Sequence, residues 1–330
     1  MTTPYIPIWA RDLPLLLAEV YAKMKSPCPA PEKRLIDLAE WVMRLPSRQP
    51  RTVHVSRTLR KKILTPYESA GVHRITKALA HGRDLRPFLG RRTLAIRDRD
   101  RDAKGKPSNH DLFFSAWRLL HFHLRADFTN RGNHVARTRR IMIAYLTDND
   151  AYLLDVAAHG KGNADVWGKE CFLETLAQDW PDIFTPLEIK GVVGANREGP
   201  LEPMQHIQLR EAGLTTFIQL NGRVYAAPGL GIATDRTPIA AVQTAARIQR
   251  ELASIEEQFQ NQFPDTDATL FVNNDASVGF FDPGKNAAYS YLSGRTKDSL
   301  TSKFFHRLLE ESGILAGTAE ETIWVPPGTS

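Results

Sequence analysis

Residues 118–125 read RLLHFHLR, and residues 137–162 read RTRRIMIAYLTDNDAYLLDVAAHGKG. In the first segment apolar and polar side chains alternate, which is typical of a β-strand with one buried face. The second segment contains two apolar strands, Arg139–Thr147 and Ala151–Ala158. The Asp148-Asn149-Asp150 sequence between them is a hairpin turn signal. Together the two segments predict a small antiparallel sheet.

Helical periodicity precedes and follows this sheet. Apolar residues recur every three or four positions in 12–25, 32–44 and 68–81, which predicts three helices ahead of the strands. Residues 169–179 predict a closing helix that Trp180-Pro181 ends. We therefore predict an α+β fold in which N-terminal helices are followed by the small antiparallel sheet.

Residues 185–200 are polar, contain glycine and show no periodicity, so we place a domain boundary there. The first predicted domain, 1–190, is basic and contains the helices and the sheet. The second, 200–330, is predicted to be an acidic α+β domain of hairpins and a long helix, for partner binding, regulation or dimerisation. Asn221-Gly222 predicts the first hairpin turn, and Thr237-Pro238 predicts the start of the long helix.

The composition excludes several classes of protein. Of 330 residues, 42% are hydrophobic and 24% are charged, both ordinary for a globular protein. The longest apolar stretch, Leu13–Ala22, is about half of the roughly 18–20 residues that a membrane span needs. The N-terminus lacks a secretory signal pattern, and Cys28 and Cys171 form neither a disulfide framework nor a metal-ligand pattern. We expect a cytoplasmic protein with no metal and no cofactor.

Charge is distributed unevenly along the chain. Residues 1–150 contain 29 Lys and Arg against 14 Asp and Glu, whereas residues 151–330 contain 14 against 23. A basic half favours a polyanionic partner through counterion release, and the interleaved aromatic side chains suit base stacking. We therefore predict a nucleic-acid partner; the alternative is a solvated basic face. The predicted nucleic-acid-binding residues are Arg57, Arg60, Lys61, Lys62, Arg91, Arg92, Arg137, Arg140 and Lys161.

Polar side chains on the first predicted strand suggest a reaction site. Side chains two residues apart on a strand share a face, so His121, His123 and Arg125 are expected to project together. Two imidazoles and a guanidinium suit phosphodiester chemistry, because one imidazole can accept a proton, the other can donate one, and Arg can stabilise the developing charge. The alternative is a polar outer face of the sheet that has no catalytic role.

Two further candidates flank the predicted hairpin. His159 ends the third strand and is followed by Gly160-Lys161-Gly162, and loops at strand ends often carry function. Arg139 begins the second strand and could reach the same cleft. The candidate catalytic set is thus completed by Arg139 and His159. The alternatives are a chance histidine in a loop and a basic strand edge that deters edge pairing.

The segments RLLHFHLRAD (118–127) and RTRRIMIAYLTDNDAYLLDVAAHGKG resemble the core of the RelE/ParE toxin superfamily, over about residues 60–185. Members of that superfamily are small proteins with helices followed by an antiparallel sheet. The stretch from DLFFSAWRLLHFHLR to FLETLAQDWPDIF (111–184) also resembles a domain of uncharacterised bacterial proteins. That domain has a Trp-then-His-x-His strand, a DV..HG strand end and a closing helix that ends in Trp-Pro. No familiar pattern covers residues 200–330.

The RelE resemblance implies a metal-independent endoribonuclease, with RNA preferred to DNA, of the toxin type used in phage defence or carried on mobile elements. Such enzymes position the ribose 2′-hydroxyl for in-line attack and use basic side chains as acid, base and charge stabiliser. His159 and Lys161 match the basic strand-end loop, and Arg139 or Arg140 matches the basic strand start. The catalytic tyrosine at the C-terminus of that family has no clear match, and the closing helix carries more acid than base.

Two other functional interpretations stay open at this point. The protein would be a non-catalytic nucleic-acid-binding scaffold if the histidines were surface groups and the arginines contacted phosphates. It would bind a protein partner if the acidic second domain docked a cognate protein or covered the basic domain.

Overall fold

The computed structural model describes residues 6–96, 111–124, 138–192, 201–264, 266–273, 275–292, 299–313 and 323–324, without the side chains of residues 91, 92, 323 and 324. It confirms a mixed α+β fold. The helices are α1 (Ile8–Lys23), α2 (Pro31–Arg44), α3 (Arg57–Lys61), α4 (Pro66–Ala80), α5 (Arg91–Leu94), α6 (Leu112–Trp117), α7 (Cys171–Asp179), α8 (Pro181–Phe184), α9 (Pro203–Glu211), α10 (Ile239–Gln262) and α11 (Leu300–Ser312). The strands are β1 (Thr52–Val55), β2 (Leu119–His123), β3 (Arg140–Leu146), β4 (Asp150–Ala158), β5 (Ile218–Leu220), β6 (Arg223–Tyr225), β7 (Thr269–Asn273), β8 (Val278–Asp282), β9 (Ala287–Leu292) and β10 (Ile323–Trp324).

The chain forms two compact units, each built from non-contiguous segments. Within the described ranges, the central unit contains residues 44–95 and 111–240, and the terminal unit contains residues 6–43, residue 96 and residues 241–324. The predicted boundary at residues 185–200 divides the sequence into two continuous halves, whereas each compact unit combines separate segments of the chain. Independent folding of 1–190 and 200–330 stays a prediction.

The central unit contains a four-stranded sheet in the order β1-β4-β3-β2. Strands β2, β3 and β4 pair antiparallel, as the alternation and the acidic turn predict. Strand β1 pairs parallel with β4, with Val53 opposite Ala151, so it extends the predicted sheet with a strand that the sequence pattern did not indicate.

One face of this sheet is the apolar face expected from the sequence. Phe122 and Leu124 are fully buried there. Helix α4 approaches this face so closely that a Cβ on Gly71 would lie 1.9 Å from the carbonyl oxygen of Leu124. A glycine at position 71 therefore allows α4 to pack against the backbone at the end of β2.

The opposite face is also covered by protein. Leu119 and Ile141 pack on this face in a core that includes side chains of α6 and α7. His121 and His123 lie on the same side of β2 as Leu119, because side chains two residues apart share a face. These histidines are therefore beneath a second layer of structure, so the alternative of a polar outer face of the sheet does not describe their surroundings.

Residues 201–240 pack into the central unit as well. The β5–β6 hairpin turns at Asn221 and Gly222, which have φ values of 51° and 76°, as an Asn-Gly turn predicts. Ile218 of this hairpin belongs to the same core as the four-stranded sheet. Gly168 allows close approach of α9, since a Cβ there would lie 1.8 Å from the carbonyl oxygen of Pro203.

The terminal unit combines helices with the sheet β10-β7-β8-β9. Helix α1 begins at Ile8 because the Glu256 carboxylate accepts hydrogen bonds from the backbone N–H groups of Ile8 and Trp9, each at 2.9 Å. The sequence pattern predicts a helix that begins at Asp12 as its cap, and this prediction is wrong. Asp12 lies inside the helix, buried, and accepts a hydrogen bond from the backbone N–H of Leu270.

Most of the apolar stripe that the sequence predicts for the long helix α10 is buried; the predicted positions are Ile239, Val242, Ala245, Ile248, Leu252, Ile255 and Phe259. Its buried positions are spaced alternately by four and three residues, which keeps them on one face of a 3.6-residue period. Val242, expected on this stripe, is 39% exposed, and Ala241 is buried in its place. The buried residues of the stripe are Ala241, Ala245, Ile248, Leu252, Ile255 and Phe259.

Candidate functional site

Three of the predicted site histidines meet at one cavity in the central unit. His121 and His123 come from β2, and His159 follows β4; all three line a cavity of about 430 Å³. The ring centroids of His121 and His123 are 6.3 Å apart, and those of His123 and His159 are 5.3 Å apart. The structure therefore brings together side chains that are up to 38 positions apart in the sequence.

The order of the strands explains this convergence. His123 lies opposite Ile141 near the start of β3, and β3 in turn pairs its first residue, Arg140, with Ala158 at the end of β4. The backbone N–H of His159 donates to the carbonyl of Arg139 at 2.9 Å, which extends the ladder by one residue. Gly160, at φ 99°, then turns the chain in a conformation that favours glycine. His159 is thereby held beside the end of β2.

Aromatic side chains form a wall of the cavity. Trp167, in the 3₁₀ helix Ala164–Gly168, has its ring centroid 4.9 Å from that of His121 and 6.2 Å from that of His159. Phe113 of α6 packs edge-on against Trp167 at 5.5 Å. Gly90 leaves room for His121, because a Cβ at position 90 would lie 3.3 Å from its Nε2 atom. Trp167 therefore contacts two of the imidazoles as well as the aromatic core.

His121 is held in an environment that disfavours its protonated form. Burial lowers the pKa of His121 below its usual value; the carboxylate of Asp111 opposes this shift and the nearby His159 adds to it. The Nδ1 atom lies 3.9 Å from Oδ2 of Asp111, too far for a hydrogen bond but close enough for electrostatic attraction. His121 is consequently a neutral imidazole at neutral pH, the form that accepts a proton.

Asp111 is fixed by the local structure around it. It caps α6 by accepting a hydrogen bond from the backbone N–H of Phe114 at 3.0 Å. Its other oxygen accepts a hydrogen bond from the hydroxyl of Thr93 at 3.0 Å. Asp111 is thus positioned as a buried carboxylate beside His121 by the same contacts that begin the helix.

A buried arginine also lines the cavity. Arg210 of α9 is 3% exposed, its Nη1 donates to the carbonyl of Trp167 at 2.5 Å, and its guanidinium lies 3.8 Å from the ring centroid of Trp117. Its Nε and Nη2 atoms are buried and have no hydrogen-bond partner among the described residues. Burial lowers the pKa of Arg210 to about 9, so the side chain stays positively charged at neutral pH. Leaving such donors without partners costs about 1–3 kcal/mol or more for a charged group.

Sequence reasoning missed Arg210 because α9 was assigned to the other predicted domain. The available signal is the spacing of His206 and Arg210, which are four residues apart and therefore share a helix face. His206 is fully buried, and its Nε2 lies 2.8 Å from Oε1 of Glu170. Its ring packs against Trp117, 5.4 Å between centroids, so the two α9 side chains lie against the same tryptophan.

The exposure of the lining residues divides the cavity into a rim and a floor. Gly160, Ala164 and Glu211 are exposed and His159 is half-buried, so these residues form the rim. The floor consists of residues that are less than one tenth exposed, namely Asp111, Phe113, His123 and Arg210. A ligand would therefore meet the rim residues, among them His159, before the floor residues, among them Arg210.

The remaining basic candidates whose side chains the structure describes do not converge on this cavity. In the described part of the chain, Arg139 and Lys161 are exposed and lie outside the cavity lining. Three others form ion pairs within the protein: Arg57 with Asp179 at 2.6 Å, Lys62 with Asp155 at 2.6 Å, and Arg140 with Glu68 at 2.9 Å. Arg60 and Lys61 are exposed on α3. Arg125 and Arg137, and the side chains of Arg91 and Arg92, lie outside the described residues.

Comparison of the chain with protein-family models, curated proteins and solved structures finds no match. The resemblance to RelE-like toxins therefore stays a prediction. Within the ranges described above, no group of three or more His, Cys, Asp or Glu side chains is arranged to hold a metal ion. Among the helices of those same ranges, none combines the length and the apolar character needed to cross a membrane.

Proposed function

We propose that this protein is a cytoplasmic endoribonuclease that cleaves RNA by proton transfer between histidine side chains and the substrate. The observation that carries the proposal is the convergence of His121, His123 and His159 on one cavity. Imidazole is the side chain best suited to accept and donate protons near neutral pH. The RelE-like resemblance of the segment that contains these histidines points to the same chemistry.

The different environments of the histidines suggest separate roles. His121 is a buried, neutral imidazole beside Asp111, which suits a general base that removes the proton from the ribose 2′-hydroxyl. The 2′-oxygen then attacks phosphorus, and the bond from phosphorus to the 5′-oxygen breaks. His159 at the rim, in its protonated form, donates a proton to the departing 5′-oxygen. His123 lies between them on the floor and would contact the reacting phosphate. The product is a 2′,3′-cyclic phosphate.

The surface of α3 offers a route for the RNA backbone. Arg60 and Lys61 are exposed there, and α4 adds exposed Arg74 and Lys77 in the same unit. Basic side chains that remain in contact with solvent bind phosphates by releasing counterions. We assign general RNA affinity to this surface and the chemical step to the cavity.

The proposal is tested with labelled single-stranded RNA in the presence of EDTA. The wild-type protein should produce fragments that end in 2′,3′-cyclic phosphate, and His159→Ala should reduce the cleavage rate by about 10²–10⁴-fold, the usual contribution of a positioned acid or base. His306→Ala is the matched control, because His306 is an exposed histidine on α11 in the terminal unit. Circular dichroism should show that both variants retain the fold.

Two outcomes would count against the proposal. Cleavage that persists when both His121 and His159 are replaced would exclude the proposed site. RNA binding that weakens steeply with salt, without any product, would instead favour a non-catalytic RNA-binding protein.

A further inference from the structure

The guanidinium of Arg210 presents one complete hydrogen-bonding edge that the protein leaves without a partner. Nη1 is used by the carbonyl of Trp167, whereas Nε and Nη2 have no partner in the described part of the chain. The N–H bonds of Nε and Nη2 are parallel, and they form the fork that binds two oxygen atoms of one anion. The unsatisfied donors are thus a matched pair rather than two scattered atoms.

This edge belongs to a side chain that is held rigidly. Arg210 is 3% exposed, stacks on Trp117 and is anchored through Trp167. A fixed guanidinium loses little conformational entropy when it binds an anion. Burial also strengthens a charge-assisted hydrogen bond, because the surroundings have a lower dielectric constant than water.

The nearby carboxylates of Glu170 and Asp111 attract Arg210 electrostatically, but neither accepts a hydrogen bond from its Nε or Nη2. Glu170 lies 2.8 Å from His206, and Asp111 accepts hydrogen bonds from Thr93 and Phe114. Glu211 is at the exposed rim of the cavity, away from the floor where Arg210 lies. The cavity volume of about 430 Å³ falls within the range of small-molecule sites, roughly 300–1,000 Å³.

We infer that Arg210 is the anion-binding residue of the cavity and that it binds two oxygens of a nucleotide phosphate, with Trp167 as the flanking aromatic wall. The choice of a phosphate over a carboxylate rests on the proposed ribonuclease function. The shared chemistry is a tetrahedral phosphate with at least two free oxygens, as in an internal phosphodiester, which has two, or a terminal monoester, which has three. Arg210 would hold that phosphate at the floor while the imidazoles line the same cavity.

The test measures binding by titration calorimetry in EDTA, without cleavage. Adenosine, adenosine 3′-monophosphate and a 2′-deoxy dinucleotide, which lacks the attacking hydroxyl, are titrated into the full-length protein. The wild-type protein should bind the monophosphate at least tenfold more tightly than adenosine. Tight binding of the dinucleotide would assign the site to an internal phosphodiester, and tight binding of the monophosphate alone would assign it to a terminal phosphate.

Two variants connect this affinity to Arg210. Arg210→Lys keeps the charge but lacks the fork, and should lose at least tenfold in affinity for the monophosphate while adenosine binding is unchanged. Ala164→Trp leaves Arg210 in place and obstructs the exposed rim, and should weaken binding of the monophosphate to a similar degree. Inorganic phosphate should displace the monophosphate, whereas acetate at equal ionic strength should not.

Equal affinity of the wild-type protein for adenosine and its monophosphate would overturn the inference without the use of any variant. Wild-type affinity in a folded Arg210→Lys variant would overturn it as well. The His159→Ala variant separates the two proposals, because it should still bind the monophosphate more tightly than adenosine and fail to cleave RNA. Arg210-dependent binding with no cleavage by the wild-type protein would overturn the ribonuclease proposal alone.

Discussion

At the scale of single residues, the burial of His121 affects both the stability of the fold and the proposed chemistry. Its imidazole is 14% exposed, faces Asp111 at 3.9 Å and contacts the ring of Trp167. The burial that makes it a neutral proton acceptor also makes its protonation unfavourable in the folded state. In the unfolded chain the imidazole is in water, where it is protonated at its usual pKa.

This difference predicts a pH-dependent stability. Because the pKa of His121 in the folded protein lies below the usual value of 6.5, the unfolded chain binds a proton first as the pH falls. The free energy of unfolding should therefore decrease below pH 6.5, by up to about 1.4 kcal/mol per pH unit from this group. Urea denaturation between pH 7 and pH 5 should show a shallower decrease for His121→Gln than for the wild-type protein. Equal slopes, with exposed His306→Gln as control, would contradict the prediction.

Part of the site could be predicted at this scale, and part could not. Alternation places His121 and His123 on one face of a strand, and His159 stands out because it ends another strand. Local sequence patterns were therefore sufficient to select the three imidazoles that line the cavity. Asp111 and Arg210 reach the cavity from α6 and α9, and that convergence depends on tertiary packing which no local pattern contains.

At the scale of elements, those formed by contacts between residues close in sequence were predicted, and those that depend on contacts distant in sequence were missed or misplaced. The antiparallel strands β2, β3 and β4 were predicted from local signals: alternating side chains in β2, and the acidic turn between the apolar strands β3 and β4. Strand β1 has only four residues and its partner residues are about a hundred positions away, so its sequence carries little information about it. Helix α1 begins four residues earlier than predicted because a distant carboxylate, Glu256, caps it.

The contact between α4 and β2 gives a prediction for the same scale. Gly71→Ala places a methyl group against the backbone of Leu124, which cannot rotate away as a side chain would. Overpacking costs about 1–3 kcal/mol or more, and the higher helix propensity of alanine returns about 1 kcal/mol. A clash of 1.9 Å with backbone belongs at the upper end of the overpacking cost, so we expect a net loss of about 2 kcal/mol in the free energy of unfolding, measured by urea denaturation.

Ser69→Ala is the matched control for this substitution. Ser69 is exposed on the same helix, so its replacement should change the free energy of unfolding by no more than about 0.5 kcal/mol. A Gly71→Ala variant as stable as this control would show that α4 can move away from the sheet without cost.

At the scale of the whole molecule, the charge difference between the two halves of the sequence is reduced by pairing in the fold. Arg57 and Lys62 belong to the basic half, and their partners Asp179 and Asp155 belong to the acidic half. These ion pairs lie within the central unit and partly neutralise two of the predicted nucleic-acid-binding side chains, of which Arg57 stays exposed. The counts along the chain thus overstate the basic surface that a partner meets.

The exposed pair Arg60 and Lys61 should then contribute more to RNA binding than the paired residues do. Each phosphate contact with a single strand contributes about 0.7 to the slope of log K against log salt concentration. Arg60→Ala combined with Lys61→Ala should therefore reduce that slope by about 1.4, measured by fluorescence anisotropy with labelled RNA at several salt concentrations. Arg247→Ala with Arg250→Ala removes the same charge from exposed positions of α10 in the terminal unit. If both double variants lowered the slope equally, net charge rather than the α3 surface would determine RNA affinity.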